Sequence, residues 1–249
     1  MLTKSEKNWI KSLNDRTKRE QDSVFVAEGK KLVMEMVSQF PEACQLLILD
    51  ESFRESATIK KLPVNRVEWI EKSHFSTIST LRNNHSALAV MKKPVFDNTE
   101  LGFNEEFILY LDGLQDPGNM GTILRSADWF GLKRIYCSDD SVDIFNNKAV
   151  QASMSSVMRV QVLYTAWDSI KTRMPTTKVF LADAAGLSYN HVKSNEVQCI
   201  CIGSEGNGAR EQIIKDADQL ISIPRATHSK AESLNAAIAA SILLAWKFA

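Results

Sequence analysis

Short apolar runs recur along the second half of this chain. Each is followed by a loop rich in Gly, Asn or Asp and then by a helical pattern. Phe107–Leu111 (FILYL) is continuously apolar, as expected of a strand buried on both faces of a parallel sheet. The loop DGLQDPGNMG follows, and apolar positions at helical spacing then predict a helix over Thr122–Phe130, closed by Gly131 in the C′ position. Arg134–Cys137, Val179–Ala182 and Val197–Ile202 (VQCICI) read as further strands. The Gly-rich stretch SEGNG precedes a helix near Arg210–Ala217, and Leu220–Ile223 reads as a short strand. After a polar loop, Glu232–Phe248 predicts a long Ala-rich helix in which Leu234, Ile238 and Ile242 form an i, i+4 stripe expected to be core. Strand–loop–helix repetition argues for a mostly parallel α/β sheet.

The first half reads as a smaller α/β unit. Lys4–Arg19 predicts a helix with Trp9, Ile10 and Leu13 on one side and basic residues elsewhere. Val24–Ala27, Leu46–Leu49 and Ala87–Met91 read as strands, and Gly29–Val37 and Glu71–Leu81 as helices. The polar stretch Lys92–Phe107, with Pro94 and Gly102, is the natural boundary. The expected division is a domain over 1–96, a linker over 97–106 and a second domain over 107–249.

Composition narrows the classes. The 249 residues carry 30 Lys+Arg and 30 Asp+Glu, with 44% hydrophobic and 24% charged residues. That is ordinary globular composition, and it excludes a disordered, collagen-like or disulfide-scaffold chain. Neutrality argues against bulk coating of nucleic acid. It hides an asymmetry, however. Residues 1–98 hold 16 Lys+Arg against 13 Asp+Glu, a balance of +3, and residues 99–249 hold 14 against 17, a balance of −3. The amino-terminal stretch has no apolar core of signal-peptide length. Ala236–Trp246 falls short of the ~20 residues that span a bilayer. Cys44, Cys137, Cys199 and Cys201 form no Cys-x-x-Cys pair, and four scattered His add no ligand spacing, so no metal site is expected. A reduced, cytoplasmic enzyme is the simplest reading.

The chemistry-bearing residues sit just after predicted strands, where open α/β sheets bind ligands. The first loop, Asp116-Pro117-Gly118-Asn119-Met120-Gly121, leads to Arg125. Its glycines allow a tight turn with backbone N–H groups open toward a ligand, and Arg125 could reach a phosphate or ribose oxygen. A capped helix with a surface arginine fits the same residues. The second loop, Gly203-Ser204-Glu205-Gly206-Asn207-Gly208, has the spacing G-x-x-G-x-G, not the G-x-G-x-x-G of a dinucleotide turn. It places Glu205 between glycines, though a plain strand-to-helix connection reads equally well. The third segment runs from Ile223-Pro224-Arg225 through ATHSKAE to Ser233-Leu234-Asn235. Ser233 or Glu232 could cap the last helix, and His228 reads as a loop residue rather than a catalyst.

Together, Asn119-x-Gly121-x-x-x-Arg125, Ile202-Gly203-Ser204-Glu205-Gly206-x-Gly208 and Ile223-Pro224 with Ser233-Leu234-Asn235 resemble the SpoU (TrmH-type) family of the SPOUT RNA methyltransferases. The resemblance covers about Ile108 to Trp246. Arg19 to Val37, with Phe25-Val26-Ala27-Glu28-Gly29-Lys30, is similar to the small ribosomal-protein-like RNA-binding domain often fused ahead of it. The stretch between Ile-Pro-x and Ser-Leu-Asn departs from the family pattern: Ala226–Glu232 is longer than usual and holds no glycine.

The resemblance implies methyl transfer from S-adenosylmethionine to a ribose 2′-hydroxyl of rRNA, or less readily tRNA. It implies a parallel sheet closed by a deep trefoil knot, a homodimer, and no membrane or metal. By position, Gly203, Gly206, Ile223 and Leu234 become cofactor contacts. Asn119, Arg125, Glu205, Ser233 and Asn235 become the polar catalytic cluster. Lys7, Lys11, Arg16, Lys18 and Arg19 are candidate RNA phosphate contacts, against a solvated helix face. The family's activating arginine would be Arg125. A guanidinium with a pKa above ~12 is not a base, so a charged Arg125 stabilising the developing alkoxide is the preferred role. Two other readings stand beside this one. They are an RNA-binding or ribosome-assembly factor without catalysis on the same fold, and a different nucleotide-dependent α/β enzyme, which the absent phosphate-loop patterns disfavour.

Overall fold

The structure is a computed structural model, and it describes residues 2–56, 59, 61–81, 86–96 and 107–248. The expected linker 97–106 lies outside the described residues. In chain order the helices are α1 (Lys4–Ser12), α2 (Arg16–Asp22), α3 (Lys30–Gln39), α4 (Pro117–Trp129), α5 (Asn147–Ser153), α6 (Trp167–Arg173), α7 (Glu211–Asp216) and α8 (Ala236–Phe248). The strands are β1 (Val24–Glu28), β2 (Cys44–Asp50), β3 (Val67–Ile70), β4 (Ala87–Lys92), β5 (Ile108–Leu111), β6 (Arg134–Cys137), β7 (Gln161–Tyr164), β8 (Val179–Ser188), β9 (Cys199–Ile202) and β10 (Gln219–Ser222).

The chain forms two compact units. The first comprises Met1–Val95 together with Asp143–Met158, and the second Phe96–Val142 with Arg159–Ala249. The segment Asp143–Met158, inside the range 107–249 expected of the second domain, is thus part of the first unit.

In the first unit, four strands form a sheet in the order β1-β4-β2-β3. β4 runs antiparallel to both neighbours, and β2 is parallel to β3. Ile10 and Leu13 pack with Val24, Val26, Leu46, Ile48, Leu88 and Val90. Each such fully buried aliphatic side chain contributes roughly 1.5–3 kcal/mol. The single helix expected over Lys4–Arg19 is two helices. Asp15 breaks it, because its carboxylate accepts from the N–H groups of Thr17 and Lys18 and starts α2. Glu71–Leu81 is not an α-helix either, but a 3-10 turn over Lys72–Thr77.

Arg19 is buried in this unit. Its guanidinium donates to Asp143 (Nη2–Oδ2 2.6 Å) and to the carbonyls of Leu13 (2.7 Å) and Asn14 (2.8 Å). Phe145 sits 5.1 Å from Phe25, ring centre to ring centre. Asn147 donates to Asn14 Oδ1 at 2.9 Å and to Thr80 Oγ1 at 3.0 Å. The inserted segment is thereby bonded into the unit by charge, ring contact and amide.

The second unit is a six-stranded sheet in the order β10-β8-β9-β5-β6-β7, parallel throughout. Its central strands β5 and β9 are fully buried along their length, as continuous apolar runs require. Ile108, Tyr110, Tyr136, Val179, Leu181, Cys199, Cys201 and Ile213 share one core with Trp167 and Ile170. The strand order reverses between β5 and β9. From β5 the chain winds outward to β6 and β7 on one side; it then crosses to β8, returns inward to β9 and ends at β10 on the far edge of the other side.

The last helix begins at Ala236, not Glu232. Its buried face is Ala236, Ala237, Ala240, Leu243 and Leu244. The stripe expected to be core is not: Leu234 precedes the helix and is 48% exposed, and Ile238 is 49% exposed. Small alanines in its first turns let that end of α8 lie close against the body, and Leu243 and Leu244 bury its second half.

Candidate active site

The loops after β5 and β9 flank the point where the strand order reverses, the position at which open α/β sheets form a ligand crevice. After β5, Asp116 caps α4 by accepting from Asn119 N at 2.8 Å, and Pro117 occupies the first helical position. The helix expected from Thr122 therefore begins five residues earlier, at Pro117. Asn119 and Gly121 lie within its first turns rather than in a loop. Gly131 closes the helix with φ +80°.

After β9, the chain folds into a tight hairpin-like turn. Ser204 and Gly208 exchange backbone hydrogen bonds at 3.0 Å each, leaving Glu205, Gly206 and Asn207 at the exposed tip. Gly203 is required by close approach. A Cβ there would stand 2.4 Å from Ala209 N and from Gly208 C, both backbone atoms.

The third segment leaves β10 extended. Residues 232–234 remain outside the helix, and Asn235 caps α8, its Oδ1 accepting from Ala237 N (3.0 Å) and Ile238 N (3.3 Å). The cap is therefore Asn235, not Ser233 or Glu232. The longer loop is closed on itself, with Arg225 Nη1 donating to Ala231 O at 2.9 Å and Ser229 N to Ala226 O at 3.0 Å.

Three of the expected catalytic residues meet. Asn235 Nδ2 donates to Asn119 Oδ1 at 2.9 Å. Asn119 Nδ2 in turn donates to Glu205 Oε1. The amide of Asn119 is thus fixed in orientation, accepting on one side and donating on the other, and it aims the carboxylate of Glu205. Arg125 and Ser233 stand outside this set. Arg125 is exposed on α4, and neither side chain is hydrogen-bonded to a described residue.

Beside the relay lies a cleft of about 530 Å³, within the usual range for small-molecule sites. Gly203, Glu205, Ile223, Ser233 and Leu234 line it, and Gly206 does not. Ile202, Ile221, Ile223 and Leu243 supply apolar walls. Asp183, Glu232 and Arg225 supply charged groups of both signs at its edge. An aromatic base with a zwitterionic, cationic tail matches that mixture, so the residues present fit S-adenosylmethionine.

Of the candidate RNA contacts, Arg19 is excluded by burial, since it is 2% exposed and held by Asp143. Arg16 and Lys18 are tied to Glu20 and Asp22 at 2.8 Å each. Lys11 is exposed and Lys7 half-buried.

Two acidic residues that organise the site were not among the expected ones. Asp116 caps α4, and Asp112, at the end of β5, is 1% exposed with its carboxylate bonded to Arg210 N. The available signal was an acidic residue directly after a fully apolar strand.

Comparison with known proteins agrees with this geometry. The model of the SpoU rRNA methylase family matches residues 106–245, and that of the MRM3-like substrate-binding domain matches residues 7–89. The fold and site define an S-adenosylmethionine-dependent methyltransferase acting on the ribose 2′-hydroxyl of rRNA or tRNA. The chain belongs to the SpoU rRNA methylase family. It is 27% identical over 241 residues to the 23S rRNA (guanosine(2553)-2′-O)-methyltransferase RlmP of Bacillus subtilis, covering 96% of this chain and 93% of that one. A TrmH-family protein from Porphyromonas gingivalis superposes with a TM-score of 0.81 at 30% identity, covering 99% and 98% of the two chains. An S-adenosylmethionine-bound rRNA methyltransferase from Sinorhizobium meliloti superposes with a TM-score of 0.78 at 25% identity, covering 98% and 94%.

Proposed function

We propose that this chain methylates a ribose 2′-hydroxyl of ribosomal RNA, with Asn119, Glu205 and Asn235 as the positioning relay and Arg125 as the group that meets the reacting oxygen. The observation that carries this reading is the bond sequence from Asn235 through Asn119 to Glu205, formed by three separate chain segments and ending at a residue that lines the cleft. S-adenosylmethionine, when bound, supplies an electrophilic methyl group on a sulfonium. The cleft takes it through Gly203, Ile223 and Leu234.

The chain's own residues then have two tasks. The relay holds the Glu205 carboxylate in one orientation, so that it fixes a polar group of the bound partners; positioning of this kind accounts for several kcal/mol of many barriers. Arg125, unbonded to any described residue, keeps its charge and stabilises the oxygen as it loses its proton. Ser233 lines the cleft without a hydrogen-bond partner among the described residues, and it is available to the substrate hydroxyl or the cofactor.

The enzyme works as a homodimer in the cytoplasm, with its carboxyl-terminal chain knotted as in SPOUT proteins. Support for a protein partner comes from Trp129, 84% exposed on α4, and from Ile238 and Leu234, each about half exposed at the α8 end. Large apolar side chains left exposed on a folded domain are the kind of surface that partners cover. No helix among the described residues is long and apolar enough to cross a membrane. Lys7, Lys11, Arg16 and Lys18 contact RNA phosphates through the first unit.

The test is transfer of labelled methyl from S-adenosylmethionine into rRNA taken from cells lacking this gene, with the modified position mapped. Wild type is expected to label one ribose, and Arg125→Ala and Asn235→Ala to lose most of that activity. Full activity in both variants would overturn the site.

A further inference from the structure

The loop that carries Glu205 is gripped at both ends by a single residue. Before the loop, Asp112 N donates to Ile202 O at 2.8 Å, continuing the ladder between β5 and β9. After it, Arg210 N donates to Asp112 Oδ2 at 2.7 Å. Between these anchors the chain has no slack. Ser204 and Gly208 are cross-bonded, and Gly203 is pressed against Gly208 and Ala209 too closely for any side chain.

The carboxylate doing this is 1% exposed. Its Oδ1 has no hydrogen bond to a described residue and lies 3.4 Å from Arg210 Nε. A buried carboxylate with one oxygen unbonded is costly to hold. A neutral acceptor would serve if the position needed only a strand end. The arrangement is explained if the negative charge is what holds Arg210 N, since bonds to charged acceptors are about twice as strong as neutral ones. Asp112 does not line the cleft and is absent from the bond sequence of the relay, so it acts through the loop.

We propose that Asp112 is a positioning residue for methyl transfer: by holding the backbone N–H of Arg210 it sets the Gly203–Gly208 turn, and with it both the cofactor wall at Gly203 and the aim of Glu205. This inference rests on the reading of the cleft as the S-adenosylmethionine site. It also separates the two parts of Arg210. The backbone N–H makes the hydrogen bond that fixes the turn, and the guanidinium, paired with Asp140 at the surface and 3.4 Å from Asp112 Oδ1, adds only charge beside it.

That separation gives the test, made on the full chain by calorimetry with S-adenosylmethionine and by single-turnover methyl transfer. Arg210→Pro removes the donor while suiting the backbone, because φ at this position is −62°. Asp112→Ala removes the acceptor. Each is expected to weaken S-adenosylmethionine binding by at least about tenfold and to slow transfer, and the double variant should be no worse than either single one. Asp112→Asn, which keeps an acceptor oxygen, should recover part of the loss, and Arg210→Ala, which keeps the N–H and loses only the guanidinium 3.4 Å from Asp112, should lose clearly less than Arg210→Pro. RNA affinity should be unchanged in all five. If wild type binds the cofactor and Arg210→Pro binds it equally well, the proposal is overturned. Additive effects in the double variant, or a loss in Arg210→Ala as large as in Arg210→Pro, would overturn it too. No binding by wild type would instead overturn the cofactor reading of the cleft. Arg210→Pro keeps the test decisive even if Asp112→Ala fails to fold.

Discussion

Asn235 gives its two amide atoms to two different tasks: Oδ1 caps α8 at Ala237 N, and Nδ2 donates to Asn119 Oδ1 at 2.9 Å. Stability and catalysis are therefore separable at one residue. Asn235→Ala loses both and should cost about 1 kcal/mol of stability as a lost cap together with most of the activity. Asn235→Asp keeps a capping oxygen and loses the donor. It should melt near the wild-type temperature while its kcat falls as far as that of the alanine variant. Thermal melts read beside single-turnover rates check this, and an active Asp variant would break the relay.

Arg125 is exposed and unpaired among the described residues, so its removal leaves nothing buried behind. Arg125→Ala should shift stability by no more than about 0.5 kcal/mol and lower kcat by roughly a hundredfold or more, the usual cost of losing a charged or hydrogen-bonding stabiliser of a developing oxyanion. Arg125→Lys should keep measurable activity with an unchanged pH–rate profile, since it replaces one cationic hydrogen-bond donor by another. A shifted profile would mean that Arg125 itself takes the proton.

Arg19 behaves oppositely. It is buried against Asp143 and two carbonyls, so Arg19→Ala should destabilise the protein by about 3 kcal/mol, the cost of stripping one partner from a buried pair. Its effect on RNA affinity should be no more than that loss of folded protein explains. Lys7→Glu with Lys11→Glu should do the reverse, weakening RNA binding at full stability and flattening its salt dependence. Denaturant melts and RNA titrations at two salt concentrations distinguish the two cases.

All four cysteines are free and buried. Burial pushes the Cys44 thiol up to about 12, and those of Cys137 and Cys201 are raised as well. Thiolate is the reactive form, so the native protein should resist a thiol reagent at neutral pH and even at pH 9. All four groups should react together once the protein is unfolded in guanidinium. Rapid labelling of one cysteine in the native state would contradict the packing.

The polar–apolar pattern located the central strands well. β5, β6 and β9 lie where the apolar runs placed them, because a strand covered on both faces writes its burial directly into the sequence. The pattern did not reveal β3 and β7. Both are sheet edges, and β3 is buried mainly at Ile70 and β7 mainly at Gln161, so neither carries a strong apolar signal. At the site, Asn119, Glu205, Asn235, Gly203, Ile223 and Leu234 were legible as a spaced set. Their mutual bonds were not, because they join segments far apart in the chain. Pro117-Gly118-Asn119 reads locally as a turn, and only the Asp116 cap makes it a helix start. Arg19 reads as part of a solvated basic face, and the group that buries it, Asp143, is 124 residues away.

The first unit is discontinuous in sequence: it needs Asp143–Met158 to satisfy Arg19, to meet Phe25 through Phe145 and to bond Thr80 through Asn147. It is therefore not a detachable cassette. A chain cut near residue 96, or a chimera that exchanges only the amino-terminal stretch between relatives, would strand a buried guanidinium without its carboxylate. The amino-terminal stretch and the insertion must travel as a matched pair, and any exchange of one has to preserve its fit to the other.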